Sequence, residues 1–126
     1  MDKPLVLIIE DDPRLADIYE VAVERVGFGT VLDLDGNQYT NILSTIRPAL
    51  IILDLHMPYA SGVDILHEIR CDPRLVDIPV IVITADLVLA KSIQGQAEEI
   101  LVKPVTVARL RETVLRLHPG SIQKES

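Results

Sequence analysis

Four widely separated points in this chain carry groups suited to phosphoryl chemistry. They are the acidic run Glu10-Asp11-Asp12, then Asp54, Thr84 and Lys103. Neighbouring carboxylates repel one another and resist ionising together unless a cation sits between them. A hard divalent ion with oxygen ligands meets that need, and Mg²⁺ binds through one or two carboxylates plus waters and a phosphate. Lys103 offers a compact positive charge for a phosphate oxygen, and Thr84 a hydroxyl donor. An aspartate can act as nucleophile and form an acyl phosphate. Phosphoryl transfer asks mainly for positioning and charge neutralisation, and this set supplies both.

Those residues share a pocket only if the elements before them end on one edge. Leu5 to Ile9 reads as a buried strand that stops at Glu10, and Pro13 suits the first turn of a helix. Leu15, Ile18, Tyr19, Ala22, Val23 and Val26 repeat at helical spacing, with Gly27 as the stop. Phe28 to Leu34 is expected as a second strand, followed by the turn Asp35-Gly36-Asn37. Tyr39, Ile42, Leu43 and Ile46 mark a second helix, closed by Arg47-Pro48. Leu50 to Asp54 is the third strand and Pro58 to Gly62 a loop. Val63, Leu66 and Ile69 mark a third helix, ended by Cys71-Asp72-Pro73. Ile78 to Ile83 is the fourth strand, running into Thr84. Leu87 to Gln96 is expected as a fourth helix. Ile100 to Val102 is the fifth strand, ending at Lys103-Pro104. Val107, Leu110, Val114 and Leu117 give a last helix, ended by Pro119-Gly120.

Strands alternating with helices predict an α/β fold around a parallel sheet. Sheets covered on both faces have continuous apolar strands, and here those strands are Leu, Ile and Val. Ligands in such sheets bind at the carboxyl ends of the strands. Asp54, Thr84, Lys103 and the acidic run all fall there.

Composition bounds the rest. The 126 residues hold 12 basic and 19 acidic groups, a net charge of −7. Direct nucleic-acid binding needs a basic face, so that partner class is disfavoured. The single cysteine, Cys71, excludes an internal disulfide, lacks the neighbours of a metal site and is expected to be structural. No stretch is long enough to span a membrane and no signal peptide is visible, so a cytoplasmic location is expected. Residues 1–120 read as one domain and 121–126 as a loose polar tail, with no second domain visible. Arg109, Arg111 and Arg116 on the last helix read as a solvated face rather than a docking face.

The motifs together resemble the response-regulator receiver domain of two-component signalling, over essentially the whole length. Val6-Leu7-Ile8-Ile9-Glu10-Asp11-Asp12 is similar to that family's first strand and acidic pair. Arg47-Pro48 through Asp54, with Met57-Pro58 and Gly62, resembles its phosphorylation segment. Asp72-Pro73-Arg74 through Thr84-Ala85 resembles its fourth strand and approach, and Leu101-Val102-Lys103-Pro104 its fifth. The resemblance implies a doubly wound, flavodoxin-like sheet of order 2-1-3-4-5 with about five helices on both faces. It implies that Asp54 accepts a phosphoryl group from a histidine kinase or phosphotransfer protein. Asp11, Asp54 and the His56 backbone carbonyl would ligate Mg²⁺ or Mn²⁺, with Glu10 acting through metal-bound water. Asp12 would be a helix-start charge. Lys103 would hold a phosphoryl oxygen and precede a cis proline. Thr84 would turn toward the phosphoryl group as the switch, while His56 and Asp86 would tune rates. Such a domain catalyses its own phosphorylation and dephosphorylation, turns over no separate substrate, and signals to a downstream protein target.

Three departures stand out. Ile100 occupies the place of the family's usual switch aromatic, and Val105 that of a common phenylalanine. The segment from Thr84 to Lys103 is short, and Gln96-Ala97-Glu98-Glu99 replaces a glycine-containing turn. A short fourth helix and an altered output face follow, where a homodimer through the fourth helix, fifth strand and fifth helix would form. Rival readings fit less well. Asp54-Leu55-His56 starts a cobalamin-binding motif, but Tyr59 stands where glycine is required. Asp33-Leu34-Asp35-Gly36 resembles the nucleophile loop of haloacid-dehalogenase-type phosphatases, but in that family the acidic pair trails the nucleophile. A vestigial receiver acting as an unphosphorylated adaptor is favoured by Ile100 and disfavoured by the complete acidic site.

Overall fold

A computed structural model describes residues 3–58 and 60–118. The expected end of the last helix at Pro119-Gly120 and the tail 121–126 lie outside those residues. The elements run β1 (Leu5–Ile9), α1 (Pro13–Glu24), β2 (Gly29–Asp33), α2 (Tyr39–Thr45), β3 (Leu50–Asp54), α3 (Gly62–Cys71), β4 (Val80–Thr84), α4 (Leu87–Ser92), β5 (Glu99–Val102) and α5 (Val107–Leu117). All five strands are parallel, in the order β2-β1-β3-β4-β5. The doubly wound, flavodoxin-like topology expected from the sequence is therefore present.

Alternation along the strands divides the core. Val6, Ile8, Leu50, Ile52, Ile81 and Ile83 pack under α1 and α5 with Tyr19, Phe28 and Val114. Leu7, Ile9, Ile51, Leu53, Val80 and Val82 pack on the opposite side with Leu66 and Ile69 of α3, Leu43 of α2 and Ile93. Each fully buried Val, Leu or Ile contributes about 1.5–3 kcal/mol. Every residue of β3 and β4 is buried, so these strands have no solvent face. Among the described residues no helix is long and apolar enough to cross a membrane.

Several boundaries differ from the sequence expectation. Phe28 precedes β2: its N–H bonds the Val23 carbonyl and its ring enters the core beside α1. Gly62, not Val63, begins α3, because the Ser61 hydroxyl accepts the Asp64 N–H as its cap. Ile78 is not in β4. Its N–H closes a turn on the Leu75 carbonyl, and Pro79 has no N–H to donate. Helix α4 stops at Ser92 rather than Gln96. A glycine turn does precede β5, at Gly95 with φ +88°, one residue before the segment thought to replace it. Ile18 lies at the edge of the α1 stripe and is exposed, while Ala16 takes the inner position. Cys71 is exposed rather than structural, with its Sγ 3.5 Å from His67 Nε2. Arg109 pairs with Glu112, and Arg116 with Glu99 of β5.

At the amino-terminal edge Arg70 of α3 ties three segments together. It donates to the carbonyls of Gln96 (2.6 Å) and Ile78 (3.0 Å) and to Glu98 Oε1 (2.6 Å). Glu98 in turn accepts the Val80 N–H at 2.7 Å, which starts β4. This clamp fixes the strand starts, leaving the opposite edge for chemistry.

Candidate functional site

The parallel register brings the ends of β1 and β3 side by side, with Ile9 opposite Leu53. Glu10 and Asp54 therefore emerge as neighbours, 1 % and 3 % exposed. Half-buried Asp11 follows, and one carboxylate oxygen from each of Glu10, Asp11 and Asp54 falls within 4.8 Å of the others. Helix α1 begins immediately afterwards: Asp12 caps it by accepting the Arg14 N–H at 2.9 Å. That is the helix-start role expected for Asp12, which stands apart from the acidic cluster.

Lys103 reaches in from the end of β5. Its Nζ lies 3.3 Å from Asp54 Oδ2 and 3.5 Å from Glu10 Oε1. The peptide bond to Pro104 is cis. One ammonium thus faces two buried carboxylates, and the balance remains negative. Burial first, and the nearby Asp54 charge second, push the Glu10 carboxyl up to about 8. Glu10 Oε2 accepts the Asp12 N–H at 3.1 Å, but its Oε1 is buried without a hydrogen-bond donor. Lys103 at 3.5 Å offers ion-pair attraction there but not a directed hydrogen bond. A buried acceptor left unanswered carries a desolvation cost of about 1–3 kcal/mol. Three oxygens converging with an uncompensated charge suit a hard divalent cation. The donor set and the orphaned oxygen therefore fit Mg²⁺ or Mn²⁺.

The loop after β3 is held close by Gly62. A Cβ there would stand 2.4 Å from the Asp54 carbonyl oxygen and 2.4 Å from Leu55 Cα. Gly62 N–H bonds the Leu55 carbonyl at 3.1 Å, so α3 begins directly beneath the site. The His56 N–H donates to Asp54 Oδ1 at 3.1 Å and fixes that carboxylate. The His56 side chain is exposed. With Asp54, Ala85, Asp86, Leu87, Val88 and Lys103 it lines a cleft of about 590 Å³.

Thr84 is fully buried at the end of β4, and its Oγ1 accepts the Asp86 N–H at 3.0 Å. Its carbonyl accepts the Lys103 N–H at 2.9 Å, linking it to β5. Asp86 caps α4 through the Val88 and Leu89 N–H groups, both at 3.0 Å. Ile100 is not part of this group. It pairs with Val82, two residues below Thr84, and packs half-buried on the α3 side of the core. The structure thus gathers Glu10, Asp11, Asp54 and Lys103, sets Thr84, His56 and Asp86 around them, and leaves Ile100 apart. Sequence reasoning missed what Asp33 does. Its carboxylate is fully buried and answered by backbone N–H groups of the β2–α2 loop.

The family model for the response regulator receiver domain matches residues 6–115. The DNA-binding dual master transcriptional regulator RpaA of Synechocystis is 33% identical over 117 residues, covering 90% of this chain and 48% of that protein. The DNA-binding response regulator MtrA of Mycolicibacterium smegmatis is 31% identical over 120 residues, covering 88% and 50%. The chain spans about half the length of the curated relatives it matches. Among solved structures, the signal receiver domain of a signal transduction histidine kinase from Syntrophus aciditrophicus superposes with a TM-score of 0.84. It is 31% identical, and 93% of this chain and 91% of that one are covered.

Proposed function

This chain belongs to the response regulator receiver domain family of two-component signalling, and from that membership we propose that it takes a phosphoryl group on Asp54 in a Mg²⁺-dependent reaction. The donor is a histidine kinase or phosphotransfer protein. The observation that carries this reading is the Asp54 carboxylate itself. It is 3 % exposed, with Oδ1 held by the His56 N–H and Oδ2 facing Lys103 Nζ at 3.3 Å.

The chain's own groups divide the work. Asp54 supplies a carboxylate oxygen that forms the new O–P bond as the donor's P–N bond breaks and its nitrogen leaves with the electron pair. Lys103 neutralises a phosphoryl oxygen. The Thr84 hydroxyl, whose oxygen accepts the Asp86 N–H, turns its own O–H to donate to another. Asp11, Asp54 and the His56 carbonyl would hold Mg²⁺, with Glu10 acting through bound water, and the ion would supply charge neutralisation at the phosphoryl oxygens. His56 and Asp86 sit at the mouth of the cleft and tune the rates of gain and loss. The phosphorylated form signals through the α4–β5–α5 side to a protein target, in the cytoplasm and without direct nucleic-acid contact by this domain.

Intact mass after incubation with Mg²⁺ and acetyl phosphate or phosphoramidate tests this. One phosphate adduct is expected, and Asp54→Ala abolishes it. No adduct from any donor would make the chain an unphosphorylated adaptor, as Ile100 in the place of a switch aromatic favours.

A further inference from the structure

Asp33 is a buried carboxylate at the same sheet edge that the proposed reaction does not use. It ends β2 opposite Ile9, one residue from Glu10, and it is fully buried. Its Oδ1 accepts the N–H groups of Asp35 at 3.3 Å and Gly36 at 2.9 Å, and its Oδ2 accepts that of Gln38 at 3.0 Å. One side chain therefore dictates the path of the whole β2–α2 loop.

That path ends against the phosphorylation segment. Gly36 is buried at φ +76°, and a Cβ there would stand 2.7 Å from Ala60 Cβ and 3.2 Å from Met57 Cε. Ala60 and Met57 belong to the loop between β3 and α3, which His56 and Ser61 close as an isolated bridge. On the other flank, the Asp33 carbonyl accepts the Glu10 N–H at 3.1 Å. Both banks of the acidic site thus rest on Asp33: Glu10 through its carbonyl, and the His56–Asp54 bank through its carboxylate, Gly36 and Ala60.

We propose that Asp33 is a positioning residue for the cation and phosphoryl site, acting through the contact of Gly36 with Ala60 and Met57. The proposal rests on the reading of the acidic cluster as a divalent-cation site. A turn that merely capped β2 would affect stability alone. A wedge between two loops affects how well Glu10, Asp54 and the His56 carbonyl converge, and so shows in cation affinity.

The test uses Mg²⁺ binding by calorimetry, together with the Mg²⁺ dependence of Asp54 labelling by phosphoramidate, on the full chain. Gly36→Ala places a methyl against Ala60 and is expected to weaken Mg²⁺ binding by about 10-fold, as residues that orient metal ligands do. The Mg²⁺ concentration for half-maximal labelling should rise with it, and the rate at saturating Mg²⁺ should change less. Adding Ala60→Gly removes the closer contact at 2.7 Å, leaving the tight approach of Met57 Cε at 3.2 Å and the backbone strain at φ +76°. The double variant should regain most of the affinity while staying less stable. Asp33→Asn keeps one acceptor oxygen and should fall between wild type and Asp33→Ala. The proposal is overturned if folded Gly36→Ala binds Mg²⁺ as wild type does, or if Ala60→Gly restores nothing. If wild type itself takes up neither Mg²⁺ nor phosphate, the proposed function fails and this inference with it; the two failures are thus told apart by the wild-type control.

Discussion

At the carboxyl ends of β1 and β3, ionisable side chains are buried: Glu10 is 1 % and Asp54 3 % exposed. Across the cleft, at α4 and β5, apolar side chains are exposed: Leu87 is 65 %, Val88 79 % and Val102 48 % in contact with solvent. The two regions invert the usual placement of polarity in opposite directions, and the costs are unequal. A buried carboxylate without full pairing costs several kcal/mol. An isolated exposed valine costs almost nothing. The acidic edge is therefore held by geometry that the rest of the fold must over-determine. The α4 side carries no comparable constraint; of the departures, Ile100 packs half-buried on the α3 side of the core and Val105 against the α1–α5 side. The proposed chemistry sits in the expensive region, while the cheap one needs only its cap and its backbone.

Removing the Lys103 ammonium, the one that offsets the acidic edge among the described residues, would break this contrast most sharply. In Lys103→Met the Asp54 and Glu10 carboxylates lose their partner at 3.3 and 3.5 Å. Labelling of Asp54 by phosphoramidate should slow by about 10²-fold at saturating Mg²⁺, the scale of losing one preorganised charge at a transition state. The measurement is the initial rate of adduct formation by mass spectrometry. A Lys103→Met rate near wild type would mean that the ammonium answers only buried charge and plays no part in transfer.

A subtler probe follows the proton on Glu10. Its folded value is raised from 4.5 to about 8, chiefly by burial. Between those values the folded protein keeps a proton that the unfolded chain releases, so the unfolded state binds fewer. Stability must then fall as pH rises through that window, and the full penalty is present above the folded value. Urea midpoints in chelator, taken for wild type and Glu10→Gln, should diverge in this way, the glutamine variant lacking that slope. Excess Mg²⁺ favours the carboxylate and should flatten the wild-type curve. Matching slopes for the two proteins in chelator would show that Glu10 is not strained by its burial.

How much of this was legible in the sequence follows the same division. Apolar runs that stop at a charge are one-dimensional signals, so the strand ends at Glu10, Asp54, Thr84 and Lys103 could be read directly. Alternation of strands and helices then placed them on one edge. Features that depend on where a side chain reaches in space could not be read. Arg70 bonds partners 26 and 28 residues away at Gln96 and Glu98, and no local pattern announces that. Asp33 shared a motif with a phosphatase loop, but it stands outside the cluster of Glu10, Asp11 and Asp54, and both its oxygens accept backbone N–H groups. Boundaries slipped where a single backbone group ruled: the missing N–H of Pro79 delays β4, and the turn that Gly95 makes follows the early end of α4.

The mildest substitutions test the cheap side of the comparison. Leu87 and Val88 begin α4, whose cap comes from Asp86 through backbone N–H groups. Neither side chain belongs to either core cluster. Leu87→Ser and Val88→Ser should therefore each shift stability by no more than about 0.5 kcal/mol, the usual range for surface changes. Both residues line the cleft beside Asp54, so the rate of labelling by a small donor is a second readout. It should stay near wild type, because the proposed transfer groups are carboxylates, an ammonium and a hydroxyl that neither substitution touches. A loss of labelling without a loss of stability would show that these exposed apolar groups form part of the donor's seat, and would move them from the cheap region into the chemical one.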